Sequence, residues 1–95
     1  MLTYKAAYQT VEDGWVMAQA LDFPGAVTQG KDLDDAREML QSALVDLAEV
    51  LIDQGKPLPK PDPSVSDPDA EIEEPIYLLL EAASQVKVVP VRTAG

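Results

Sequence analysis

The chain has 95 residues, with 17 acidic against 7 basic side chains for a net charge of −10, 46% hydrophobic residues, and neither cysteine nor histidine. A length of this order allows one domain with a small core, and the missing residue types exclude a disulfide framework, thiolate chemistry, the common zinc sites and Ser-His or Cys-His catalytic pairs. The acidic balance argues against direct nucleic-acid binding, which needs clustered Lys and Arg to meet phosphate, and fits either plain solubility or attraction of a basic protein partner.

From the N-terminus, Leu2, Tyr4, Ala6 and Tyr8 alternate with Thr3, Lys5 and Ala7, the pattern of a half-buried strand. Glu12-Asp13-Gly14 then makes a turn, since Asp bonds its own backbone and Gly accepts positive φ. Trp15 to Ala20 predicts a second strand completing a hairpin. Pro24-Gly25 sets a tight turn after it, Ala26 to Gln29 a short third strand, and Gly30 its end. Asp32 is placed to cap a helix starting at Leu33, with Asp35 where a capping-box acid belongs. Ala36, Met39, Leu40, Ala43, Leu44, Leu47, Ala48 and Leu51 recur at the spacing of one helical face, and Gly55 follows as the C′ residue.

The next stretch, Lys56-Pro57-Leu58-Pro59-Lys60-Pro61-Asp62-Pro63, carries a proline at every second position and excludes helix and sheet. Residues 57–75 are expected to form a linker or an ordered surface strap, proline-rich and acidic. Ile76 to Leu80 restores β character, and Val86 to Val91 contains Pro90, which suits an edge or terminal pairing. The expected fold is α+β: a three-stranded antiparallel sheet, one long helix packed on it, and a further C-terminal strand, in the order β-β-β-α-β. Residues 1–81 would be the domain, with the strap inside it, and 82–95 a short C-terminal tail or edge strand. Five consecutive apolar residues at 76–80 suit a strand covered on both faces, which favours a second copy as cover. Met1 to Thr10 lacks the marks of a secretory signal and no apolar run approaches a membrane span of about 20 residues. A cytoplasmic location is expected, away from any membrane.

Taken together, Asp13-Gly14-Trp15-Val16, Leu21-Asp22-Phe23-Pro24-Gly25-Ala26-Val27-Thr28-Gln29-Gly30, Asp34-Asp35-Ala36 and Gly55-Lys56-Pro57-Leu58-Pro59 resemble the HicB family of antitoxins. The match is collective and ordered over about residues 1–60, and looser to 81. Its fold-defining positions here are Gly14, Trp15, Pro24, Gly25, Gln29 and Gly30. The resemblance implies a partial ribonuclease-H-like domain, self-association as a dimer or tetramer, and a partner of the HicA type, a small basic RNA-cleaving toxin. Family members usually add a C-terminal DNA-binding module. Here Val86 to Val91 is followed only by Arg92-Thr93-Ala94-Gly95, so a complete module and direct DNA binding are not expected.

Several residues admit both a structural and a functional reading. Asp22, Asp34 and Asp35 could be remnants of a two-metal site, but turn formation and helix capping account for them, so no catalytic, metal or cofactor role is assigned. Phe23 and Trp15 are either core or interface aromatics. Glu38, Asp46 and Glu49 share the polar face of the helix with Asp34 and Asp53. They are either a solvated face or, with Glu71, Glu73 and Glu74, the acids that meet a basic toxin. Asp22, Phe23, Glu38, Asp46 and Glu49 are therefore the partner-binding candidates. The leading reading is an antitoxin, not an enzyme, which needs no cofactor and neutralises a HicA-like toxin by covering its active site. The competing reading is an orphan HicB-like oligomeric or regulatory module with no toxin.

Overall fold

Alternation of side chains along the first ten residues sets the central strand. The computed structural model describes residues 1–80 and 86–89. Strand β1 runs Leu2–Thr10, with Tyr4, Ala6 and Tyr8 buried on the face that meets the helix. A single 3-10 turn at Glu12–Gly14 follows, in which Asp13 (φ 61°) and Gly14 (φ 79°) both adopt left-handed backbone. Strand β2 is Val16–Ala20 and pairs antiparallel with β1 from Ala6↔Ala20 to Thr10↔Val16. Trp15 stands just before β2, where its carbonyl accepts the Val11 N–H at 2.7 Å. Its side chain is 40% exposed, so it is not part of this chain's core.

Between β2 and β3 the Phe23 carbonyl accepts the Ala26 N–H at 3.1 Å, and Gly25 takes φ 87°. Pro24 and Gly25 thus occupy the two central positions of a type II turn, the second of which requires positive φ. Strand β3, Val27–Gly30, lies antiparallel to β2. At Gly30 a Cβ would meet the backbone of Ala36, with the Ala36 Cα at 2.7 Å. Its lack of a side chain is what lets the first turn of the helix rest on β3.

Helix α1 spans Leu33–Asp53. The Asp32 carboxylate accepts the Asp35 N–H at 2.8 Å, and the Asp35 carboxylate takes the Lys31 N–H at 2.9 Å, reaching one residue further back than a capping-box Glu would. At the other end the Gly55 N–H (φ 68°) donates to Ile52 and the Lys56 N–H to Leu51, a Schellman closure. The buried stripe is Ala36, Leu40, Leu44 and Ala48, with Leu47 and Leu51 partly buried beside it. Met39, expected on this face, is instead 45% exposed, because its position has rotated past the edge of the contact.

Strand β4 is Ile72–Leu80 and pairs antiparallel with β1 from Leu2↔Leu78 to Tyr8↔Ile72; β5, Val86–Val89, pairs antiparallel with Tyr77–Leu80. The sheet order is β3-β2-β1-β4-β5. β4 therefore starts four residues before the apolar run that marked it, and residues 72–75 leave the expected strap. The nine residues of β1 supply the partners for this extension. Pro75 is tolerated because it lies outside the stretch of β4 that β5 pairs with. Ile76 and Leu78 are buried toward the helix, while Tyr77 and Leu79 are half-buried on the other face. Residues 81–85 and 90–95, which hold most of the expected tail and Pro90, lie outside the described residues.

The core is made of alanines where helix and sheet approach and large side chains around them. Ala6, Ala18, Ala20, Ala36 and Ala48 are essentially inaccessible, and Tyr4, Phe23, Leu40, Leu44 and Leu78 fill the remaining space. Tyr4 and Phe23 meet edge to face, with ring centroids 5.0 Å apart at 75°.

Candidate functional site

Asp22 follows β2, at the point where β1 loses its neighbour on that side. One of its oxygens accepts the Lys5 N–H at 2.9 Å and the other accepts the Asp62 N–H at 2.9 Å. The carboxylate thereby caps an otherwise unpaired stretch of β1 and fastens the proline-rich strap to it. The Tyr4 hydroxyl donates to the Pro59 carbonyl at 2.7 Å, and the Lys5 amine donates to the carbonyls of Pro63 (3.1 Å) and Val65 (2.8 Å). Tyr4 faces the helix and Lys5 the opposite side of the sheet. The strap accordingly passes the edge of β1 at Asp22 and crosses its outer face to reach β4, where the Glu71 N–H joins the Tyr8 carbonyl at 2.8 Å.

The candidate residues divide by burial. Phe23 is 1% exposed and packs on Tyr4, and both oxygens of the buried Asp22 are engaged within the chain. The expectation that these two present themselves to a partner is corrected: the turn geometry of Pro24-Gly25 folds Phe23 inward and leaves only Pro24 and Gly25 outside. Glu38, Asp46 and Glu49 are exposed along one line of α1 with Ser42 and Asp53. Among the described residues these four acids form no ion pair.

The acids of the later segment behave differently. Glu74 grips Arg37 with two bonds, to Nε at 2.8 Å and Nη2 at 3.1 Å, and Arg37 lies 5.8 Å from the centre of the Tyr8 ring. Glu71 accepts the Thr10 N–H (2.9 Å) and hydroxyl (3.1 Å). Glu73 accepts the Asp67 N–H at 3.2 Å and stands 3.8 Å from the Lys5 amine. These three side chains hold β1, α1 and the strap to β4, so they are not a free continuation of the acidic helix face.

Electrostatics follow the same division. Burial, reinforced by the nearby charge of Asp22, pushes the Tyr4 phenol up to about 12. Burial and then Glu74 raise Tyr8 still further. The hydrogen bond to Glu74 makes Arg37 harder to deprotonate, and the Ser64 hydroxyl and N–H hold the Asp62 carboxyl below its usual range. Asp22, Asp34 and Asp35 point to separate tasks, and no group of three or more acidic side chains among the described residues is placed to hold a metal ion. A cleft of about 320 Å³ lies beside the strap, lined by Lys5, Asp22, Pro63, Glu73 and Pro75 among others. Its lysine and its Asp22 already have partners within the chain.

A broader, open groove of about 690 Å³ lies at the hairpin end of the sheet, lined by Gln9, Val11, Glu12, Asp13, Trp15 and Gln29 along with Thr10. Residue patterns single out Trp15 but not this groove, which needs the hairpin register and β3 beside it.

No protein-family model matches the chain, and no curated protein sequence does. Among solved structures it is similar to the crystal structure of the N-terminal domain of Burkholderia pseudomallei antitoxin HicB, with a TM-score of 0.63 and 20% identity over 96% of this chain and 99% of that one. The chain has the fold of a HicB antitoxin's N-terminal domain.

Proposed function

We propose that the chain is an antitoxin which binds a small basic HicA-like RNA-cleaving toxin and neutralises it by covering its active site, with no chemistry of its own. The observation that carries this reading is the shared fold with the N-terminal domain of a HicB antitoxin across nearly the whole of both chains. Charge supports it. A net −10 on 95 residues draws a basic partner in from a distance and discourages RNA, the toxin's own substrate, from binding here. Glu38, Asp46 and Glu49, exposed and without counter-ions among the described residues, are the acids of α1 best placed to steer that encounter.

Co-expression with the adjacent small basic reading frame, followed by affinity capture and an RNA-cleavage assay, tests the proposal. A stable complex in which cleavage stops is the expected result. No complex, with cleavage and growth arrest unaffected by this chain, would overturn it.

A further inference from the structure

Of the five aromatic residues, Tyr4, Tyr8 and Phe23 are 1–3% exposed and Tyr77 is half-buried, while Trp15 is 40% exposed. The largest side chain of the protein therefore stays out of a core that has few large residues to fill it. Val11, 36% exposed, is bonded to it through the backbone, and both line the open groove at the hairpin end. The rim of that groove carries Glu12 and Asp13. Among the described residues neither carboxylate takes part in a hydrogen bond or ion pair, unlike Asp22, Glu71, Glu73 and Glu74. Asp13 also holds left-handed backbone, which orients it at the tip of the turn.

An exposed indole in a concave site, flanked by an aliphatic side chain and two uncompensated carboxylates, has the chemistry of a cation receptor. The ring face attracts an ammonium or guanidinium held within about 6 Å. The carboxylates neutralise it, and the apolar stem of Lys or Arg lies along Val11 and the ring. Trp and Arg are also the residues most enriched where binding energy concentrates. The acidic face of α1 has charge without such an anchor, so it acts at long range.

We propose that the groove around Trp15 is the docking site for the basic protein partner, which seats an Arg or Lys side chain over the indole between Glu12 and Asp13. This rests on the antitoxin reading and names the surface through which it would operate.

The test uses the full chain and the toxin from the adjacent reading frame. Trp15 is the only tryptophan, so 5-fluorotryptophan labelling of this chain alone gives one fluorine resonance that reports the groove. Addition of unlabelled toxin is expected to shift it. Trp15→Ala, with its fold checked by circular dichroism, is expected to speed dissociation about 30-fold. Glu12→Gln with Asp13→Asn, which keeps an Asx-type residue in the left-handed position, is expected to weaken binding about tenfold and flatten its salt dependence. A complex that forms with the resonance unmoved and dissociation unchanged in Trp15→Ala would overturn the docking site while leaving the antitoxin reading intact. Absence of any complex with the unaltered chain would remove both. A resonance that shifts with the concentration of the free chain alone would assign the groove to a second copy and overturn the proposal.

Discussion

Asp22 shows how one side chain can replace a missing strand. β2 ends at Ala20, and the Lys5 N–H that a further β2 residue would have met is taken by a carboxylate oxygen. Replacement by Ala leaves two backbone donors unmet, each worth about 1–3 kcal/mol when buried. Asp22→Ala is expected to lower unfolding stability by about 2–4 kcal/mol in urea titration, whereas Asp22→Asn, which keeps one acceptor oxygen, is expected to lose about half of that. Gly30 is constrained by closeness, because any Cβ runs into the Ala36 backbone and neither element can yield. Gly30→Ala should cost about 2–3 kcal/mol by the same measurement, as overpacking against backbone does.

The phenols add a pH dependence of definite sign. Tyr4 is pushed up to about 12 and Tyr8 higher, while an unfolded chain ionises both near pH 10. Keeping them neutral favours the fold below that value, and the contribution is lost as pH rises through it toward 12. Thermal melts are expected to be flat to about pH 9.5 and to fall steeply above. Tyrosinate absorbance should show Tyr4 and Tyr8 ionising only as the chain unfolds.

Among the elements, the strap has the least regular structure and the clearest task. It carries the chain from the end of α1 to the start of β4 across the outer face of β1, and its prolines limit how much entropy that path loses on folding. It is held by Asp22, Tyr4 and Lys5, whose acceptors are main-chain groups in all but the Asp22 case, where the main chain is the donor. Limited proteolysis checks this: Asp22→Asn should expose sites near Asp62 to cleavage several-fold faster than in the unaltered chain, before global unfolding. At the helix end, Gly55→Ala places a Cβ at φ 68° and is expected to cost about 1 kcal/mol.

For the molecule as a whole, the proposed docking divides the work between charge, which would set how a partner arrives, and the groove, which would set how long it stays. Glu38, Asp46, Glu49 and Asp53 form an exposed line on α1, and reversing the first three to Lys removes three negative charges and adds three positive ones. Association with the toxin is expected to slow about tenfold or more at low salt, with dissociation little changed. Stopped-flow measurements across ionic strength would show it. The chain has few large residues to bury, and the open groove beside Trp15 leaves apolar surface at one end of its sheet.

The local chemistry of the chain is legible in its sequence wherever it depends on neighbours along the chain. Asp32 as the cap of α1, Gly55 at its close, Pro24-Gly25 as a turn and the alternation of Leu2 to Tyr8 all follow from backbone preferences and side-chain periodicity. The antitoxin resemblance drew on the same short motifs, and the shared fold agrees with it. Residues 72–75 could not be read as strand, because Glu73, Glu74 and Pro75 disfavour it locally and only β1, Lys5 and Arg37 compensate. Local sequence leaves Phe23 and Trp15 each open to core or interface; which of the two aromatics goes inside depends on the direction each Cβ takes once the sheet and helix are docked. The same holds for the carboxylates, alike in sequence. Three-dimensional partners make Asp22, Glu71, Glu73 and Glu74 part of the scaffold and leave Glu12, Asp13, Glu38, Asp46 and Glu49 facing outward.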